Sequence, residues 1–363
     1  MVDAIGAVLG ERYRLEAPLG RGGMGTMWRA HDRVLDRDVA IKVLDPQYVA
    51  DEGASARFDR EAVAISRLDH PNCVQVFDAG TTPDGGKYIV MQLLAGHELR
   101  QLLDAGQLGL PRAIDLGLQM LRGLEHAHRR GVVHRDLKPE NVFVVTDDDG
   151  REQVKLVDFG IVKLLSETAP KLTRAGQVFG TPRYMSPEQI SGGAIDERTD
   201  LYSFGAVFFE MLTGVPPFEA DQPGMLMRMH VIADVPPLPD TFPPNLRTIV
   251  ARMLEKRAAD RPASAREVIE AIAPGMAAPH PAVPPIAVRP PTARPVEVHA
   301  EPAGPPSEDG VAWIIAPRDI PRSRPSSVLG RPPNLLLRAL AMLLLVVLAG
   351  FGALLCNSWR SAQ

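Results

Sequence analysis

His134-Arg135-Asp136-Leu137-Lys138-Pro139-Glu140-Asn141 places an acid, a cation and an amide within six residues. Asp136 can take a proton from a hydroxyl nucleophile, Lys138 can neutralise a phosphoryl group in flight, and Asn141 can offer an oxygen to a hard cation such as Mg²⁺. On its own the same composition suits a surface turn, because Asp, Lys, Pro and Asn are ordinary turn residues. The reading therefore depends on what surrounds it.

Downstream, residues 142–145 form a short apolar run. The stretch TDDDGREQ is a turn, and VKLVD returns as a strand into Phe159 and Gly160. Asp147 to Asp149 could suggest a calcium loop, but the Asp-Gly that follows marks a hairpin, and no ligand glutamate stands at the twelfth position. In an antiparallel return Asn141 precedes the first strand and Asp158 follows the second. Two oxygen ligands far apart in sequence thus become neighbours around a metal.

Upstream, YRLEAPL from Tyr13 and TMWRAHD read as two strands joined by GRGGMG. Gly20, Gly22 and Gly25 have the G-x-G-x-x-G spacing that lets a backbone approach a polyphosphate. In a dinucleotide fold that motif opens a helix, whereas here a strand follows. Residues 39–44, VAIKVL, alternate as a strand with Ala40 and Lys42 on one face. A lysine on such a face needs a partner or water. The next helix, over residues 55–68, carries Phe58, Glu61, Ile65 and Leu68 at helical spacing, so Glu61 is the expected partner of Lys42.

Further strands are expected over residues 74–78 and 87–93, and helices from Leu99 and over 111–130. In the latter, His126 and His128 read as helix-end residues rather than metal ligands, since i and i+2 do not share a face. DLYSFGAVFFEML, residues 200–212, is apolar nearly all round and reads as a buried central helix, followed by helices at 246–255 and beyond Ser264, which forms a capping box with Glu267. Compact periodicity ends near Ala273.

In this order the parts resemble a Hanks-type protein kinase of the bacterial Ser/Thr branch. GRGGMG, VAIK, RFDREA with Glu61, HRDLKPEN, DFG, GTPRYMSPEQ and DLYSFG carry the resemblance, over residues 13–272. It implies a bilobal α+β protein-kinase fold: a small β-rich N-lobe with one main helix and a larger helical C-lobe. It implies ATP and Mg²⁺ as cofactors, with Mn²⁺ as an alternative ion, and proteins bearing Ser or Thr as substrates. Leu19, Gly20, Gly22, Gly25, Met27, Ala40, Met91 and Leu93 would enclose the nucleotide, and Lys42, held by Glu61, would meet its α- and β-phosphates. Asp136 would be the catalytic base, Lys138 would contact the γ-phosphate, and Asn141 and Asp158 would hold the metal. Glu188 would pair with Arg261 to brace the large lobe, and Asp200 would hold the backbone of the catalytic loop. Because Arg135 precedes the base, the chain resembles kinases switched on by activation-loop phosphorylation, with Thr173 the favoured site and Thr168 and Ser166 behind it. Thr181 is expected to shape the substrate groove. A kinase dimer would serve autophosphorylation.

The chain departs from the family at Met27 and Trp28 after the glycines, at Gln92-Leu93-Leu94 in the hinge after a gatekeeper Met91, and at Ala175, where many relatives carry a second threonine. None of these removes a catalytic group. A pseudokinase scaffold and a membrane adaptor are the competing readings; the intact Lys42, Glu61, Asp136, Asn141 and Asp158 argue against the first.

The 363 residues, 45% hydrophobic, can bury a large core. A formal charge of −4 gives no reason to expect nucleic acid as a partner, and two cysteines, Cys73 and Cys356, do not make a disulfide framework or a zinc site and suit a reducing cytosol. Residues 1–12 read as an extension without the basic start of a secretory signal. Residues 273–334 hold 16 of the 34 prolines and are expected to be a disordered linker, within which VAWII, residues 311–315, is an apolar patch. Residues 335–355 carry one charge, Arg338. At the rise of a helix they would span roughly 30 Å, the thickness of a bilayer core. Arg318, Arg322, Arg324 and Arg331 precede this span, against Arg360 in the tail 356–363. That bias predicts a single-pass protein of the inner (plasma) membrane with its kinase domain cytoplasmic.

Overall fold

The structure is a computed structural model that describes residues 5–22, 25–45, 52–82, 84–147, 149–160 and 182–273. Its first part is an antiparallel sheet of β1 (Val8–Leu9), β2 (Tyr13–Gly22), β3 (Gly25–Asp32), β4 (Arg37–Leu44), β5 (Val76–Thr81) and β6 (Lys87–Gln92), in the order β1-β2-β3-β4-β6-β5. The glycine-rich stretch closes the β2–β3 hairpin, with Gly22 opposite Gly25. Residues 8 and 9, inside the stretch read as an extension, add the edge strand.

Alternation along β4 divides the sheet's two faces. Val39, Ile41 and Val43 join Tyr13, Leu15, Trp28 and Tyr88 in a small outer core. Ala40 and Leu44 join the main core, which continues through the helices. Helix α1 (Glu52–Ser66) packs on this inner side. Its buried positions are Ala54, Phe58, Ala62 and Ile65, spaced three and four apart, so the stripe is centred on Ala62 and leaves Glu61 at its half-exposed flank.

The second part is helical: α2 (Leu99–Asp104), α3 (Leu110–His128), α4 (Pro187–Ser191), α5 (Glu197–Thr213), α6 (Pro223–Ile232), α7 (Pro244–Met253) and α8 (Ala265–Ile272). A small sheet of β7 (His97–Glu98), β8 (Val142–Thr146) and β9 (Glu152–Leu156) lies beside them. Helix α5 is buried on every side from Thr199 to Leu212; Asp196 caps its start by accepting from Arg198 N, and Gly214 ends it in the left-handed region at φ 81°. Gly131 ends α3 in the same way at φ 73°, and Val132 N bonds back to Ala127 O. At α8 the expected box is half formed. Ser264 Oγ accepts from Glu267 N at 3.3 Å, but the Glu267 carboxylate accepts from Ala263 N, one residue before the cap, at 2.7 Å.

No helix among the described residues is long and apolar enough to cross a membrane. The apolar span 335–355, the linker, and the loop containing Ser166, Thr168, Thr173, Ala175 and Thr181 lie outside the described residues.

Candidate active site

The β8–β9 hairpin does what the sequence predicts. Val142 stands opposite Leu156, and just beyond this pair Val157 N donates to Asn141 O at 3.0 Å, which brings Asn141 and Asp158 to one end. The Asn141 amide nitrogen donates to Asp136 O at 2.7 Å and to Asp136 Oδ2 at 3.1 Å. Lys138 Nζ lies 3.0 Å from the same Oδ2. Burial works against the Lys138 ammonium, but the Asp136 carboxylate beside it raises its pKa overall, so it stays charged.

The loop carrying Asp136 hangs from α5. The two oxygens of Asp200 accept His134 N at 2.7 Å and Arg135 N at 2.8 Å. Burial would raise the Asp200 pKa, yet His128 Nε2 at 2.7 Å, with the amide donors, holds it below the usual carboxylate range. His134 is fully buried, which keeps its imidazole toward the neutral form. Its Nε2 meets Val157 O at 3.0 Å, its ring packs on Phe159 with centroids 4.6 Å apart, and its carbonyl accepts Gly160 N at 2.8 Å. HRD and DFG are thus two sides of one contact. Arg135 and Asp158 both sit at positive φ, 63° and 56°, a conformation costly for non-glycine residues and held here by those bonds.

The nucleotide side is formed by the N-lobe sheet. Leu19, Ala40 and Met91 are buried in the main core, and Met27 and Leu93 pack partly buried against it. Ala40 stands opposite Met91, and Met27 opposite Lys42. Gly25 has φ 151°, and an added Cβ would fall 2.1 Å from Val43 O, so only glycine fits where β3 begins, opposite Leu44 of β4. Gly20 pairs with Met27 within the hairpin.

The expected pair of Lys42 with Glu61 is not formed. Lys42 Nζ is instead 2.8 Å from Asp158 Oδ2. The buried stripe of α1 turns Ala62 rather than Glu61 inward, which leaves Asp158 as the carboxylate that meets Lys42.

The brace expected in the large lobe is present. Arg261, with a fully buried side chain, meets both oxygens of Glu188 at 2.8 Å and also donates to the carbonyls of Arg198, Glu255 and Lys256. Thr199 Oγ1 adds a bond to Glu188 at 2.7 Å. Three contributors were not anticipated as such: Thr199, His128, and Gln189, whose amide donates to Arg135 O at 2.6 Å. Only Gln189 left a local sign, as the third helical residue of a capping box with Ser186.

For a metal, the donor set fits. With its nitrogen turned to Asp136, Asn141 has its amide oxygen left, and Asp158 adds a carboxylate; Mg²⁺ commonly takes one or two such oxygens and completes its shell with phosphates and water. The described residues hold no cluster of three or more His, Cys, Asp or Glu suited to a metal.

A family model described as the protein kinase domain matches residues 13–271. The chain belongs to the protein kinase family. It is 43% identical over 271 residues to the serine/threonine-protein kinase pkn3 of Myxococcus xanthus, covering 72% of this chain and 50% of that protein. It is 40% identical over 286 residues to the serine/threonine-protein kinase PknL of Mycobacterium tuberculosis, covering 77% and 70%. A crystal structure of the Mycobacterium tuberculosis PknI kinase domain superposes with a TM-score of 0.57 at 26% identity, covering 75% of this chain and 98% of that one. The chain spans about half the length or less of several curated relatives that it matches.

Proposed function

We propose that this protein kinase transfers the γ-phosphate of ATP to Ser and Thr hydroxyls of proteins. The observation that carries the reading is the placement of Asp136. Its carboxylate is held by Asn141 and Lys138, on a loop suspended from Asp200 and locked to Phe159 and Gly160.

In this arrangement Asp136 accepts the proton of the attacking hydroxyl, and Lys138 supplies positive charge beside it. Lys42 would face the α- and β-phosphates from β4, while Leu19, Met27, Ala40, Met91 and Leu93 provide apolar walls for the base of the nucleotide. Asn141 and Asp158 would hold Mg²⁺, or Mn²⁺, which supplies charge neutralisation at the phosphates when bound. The positioning of groups, rather than covalent chemistry, is what the protein contributes.

Incubating the full chain with labelled ATP, Mg²⁺ and a generic protein acceptor tests this. Asp136→Asn is expected to remove phosphate incorporation into the acceptor and into the chain itself; equal incorporation by wild type and variant overturns the reading.

Activation by autophosphorylation and tethering to the inner membrane belong to the same proposal. Arg135 beside the base supports the first, with Thr173→Ala expected to lower activity more than Thr168→Ala. Equal activities would refute that assignment. The composition of residues 335–355 supports the second. Deleting residues 335–363 should release the protein from the membrane fraction.

A further inference from the structure

Arg135 is the middle residue of a three-residue turn. Asp136 N donates to His134 O at 2.8 Å, and Arg135 between them sits at φ 63°. A turn of this hand is rare and strained for a residue with a side chain, so it persists only where surrounding bonds hold it. Asp200 accepts Arg135 N at 2.8 Å. On the other side, Arg135 O accepts the Gln189 amide nitrogen at 2.6 Å. The peptide that carries Asp136 is therefore bonded on both edges, through its N–H to His134 and through its C=O to Gln189.

Gln189 lies on α4, and its amide oxygen is engaged as well. It accepts Ser186 N at 3.1 Å, while Gln189 N donates to Ser186 Oγ at 3.4 Å, the two halves of a capping box. Ser186 N can only donate and Arg135 O can only accept, so a single orientation of the amide satisfies both. The box alone would be served equally well by glutamate. An ionised glutamate has no hydrogen to give Arg135 O, so capping does not account for an amide here, whereas the contact with the catalytic loop does. Gln189 also lines one cleft with Asp136 and Lys138. Its neighbour Glu188 is the partner of Arg261, so the brace of the large lobe fixes α4, and α4 fixes the turn before the base.

We infer that Gln189 is a positioning residue for the catalytic base, acting through the Arg135 carbonyl to hold the peptide that carries Asp136. The inference rests on the kinase reading above and deepens it. Asn141 and Lys138 hold the carboxylate of Asp136, Asp200 holds the amides of His134 and Arg135, and Gln189 holds the carbonyl between Arg135 and the base. Without that last bond the peptide is free to rotate, which displaces the base from the hydroxyl and leaves the binding of both substrates intact.

The test compares the full chain as wild type, Gln189→Glu, Gln189→Met and Ser186→Ala, with dephosphorylated casein as the acceptor. Gln189→Glu keeps an acceptor for Ser186 N and loses the donor to Arg135. Gln189→Met has similar length with no charge and no N–H, so the loss the two share is the bond to Arg135. Both are expected to lower kcat about tenfold, the scale of one hydrogen bond, with KM for ATP and for casein within about twofold of wild type. Ser186→Ala removes the capping hydroxyl and leaves Gln189 on Arg135, so it should lower the melting temperature and keep wild-type kcat. Gln189→Ala, which adds neither charge nor bulk, replaces Gln189→Met if that variant does not fold. An unchanged kcat, a loss carried by KM, or a kcat that falls in Gln189→Glu but not in the uncharged variant overturns the inference alone. A wild type that transfers no phosphate removes the kinase reading and this inference with it.

Discussion

Lys42 Nζ sits 2.8 Å from Asp158 Oδ2, so the nucleotide-side lysine and the metal-side carboxylate are each other's counter-ion. Both are partly exposed, at 19% and 27%, and their bond ties β4 to the segment following β9. A phosphate and its metal would give each of them a stronger partner than the other, so the pair is poised to open around a nucleotide. Glu61 stands at the half-exposed flank of α1, and Lys42 is paired with Asp158 instead.

Lys42→Met is therefore expected to leave the fold in place and to lower phosphate transfer by at least about 100-fold, the usual scale for losing one preorganised charge at a transferring group. Parallel thermal melts and initial-rate assays check it. A melting temperature that falls together with the activity would mean that the ion pair serves stability instead.

Asp32 makes the N-lobe sensitive to acid. It is 1% exposed and accepts Arg12 Nε and Nη2, both at 2.7 Å, as well as the amides of Val34 and Leu35. The Arg12 bonds, against the opposing effect of burial, bring its pKa down to about 2. An unfolded aspartate titrates near 3.9. The folded pKa is the lower one, so this stabilisation is complete above about pH 4 and is lost as pH falls toward 2. Urea midpoints measured from about pH 5 downward should drop across that window, and Asp32→Asn should flatten the slope there.

Much of this site could be read in the sequence because it depends on short-range regularity. Strand alternation placed Ala40 and Lys42 on one face, and the Asp-Gly turn after Asp147 implied the hairpin that joins Asn141 to Asp158. The Lys42 partner was misread for a physical reason: Phe58, Glu61 and Ile65 fit a helical face as well as Phe58, Ala62 and Ile65 do, and only packing decides which set is centred. Arg135 and Gln189 carry no periodic relation to one another, and neither do His128 and Asp200. Such contacts arise where separate elements converge, so they become visible only in three dimensions.

Arg261 shows how much one convergent contact can hold. Its side chain is fully buried, it meets both oxygens of Glu188, and it satisfies three backbone carbonyls. Arg261→Ala strands the Glu188 carboxylate in the interior and is expected to cost about 3–5 kcal/mol. Arg261→Lys should recover little, because an ammonium cannot reproduce the planar fork. Glu188→Gln keeps an acceptor for Arg261 and Thr199 and is expected to cost less. Chemical denaturation of the three variants gives the order, and a Lys variant as stable as wild type would contradict the geometric account.

Gly160 tests whether the contact between the catalytic loop and the Asp158 segment matters for function rather than for folding alone. A Cβ built on Gly160 would lie 2.7 Å from His134 O and 3.2 Å from Arg135 Cβ, where the carbonyl already accepts Gly160 N at 2.8 Å. An added methyl must push the segment away from the loop, and Asp158 moves with it relative to Asp136 and Asn141. Displacing a reacting group by about 1 Å commonly costs on the order of 100-fold in rate, so Gly160→Ala is expected to lose about that much phosphate transfer. Gly224 is the matched control, because a Cβ there meets nothing within 4 Å, and Gly224→Ala should keep wild-type activity. Rates for the two alanine variants, measured with circular dichroism melts on the same samples, separate displacement of the site from loss of the fold. Full activity in Gly160→Ala would show that the Asp158 segment can shift without consequence for the chemistry.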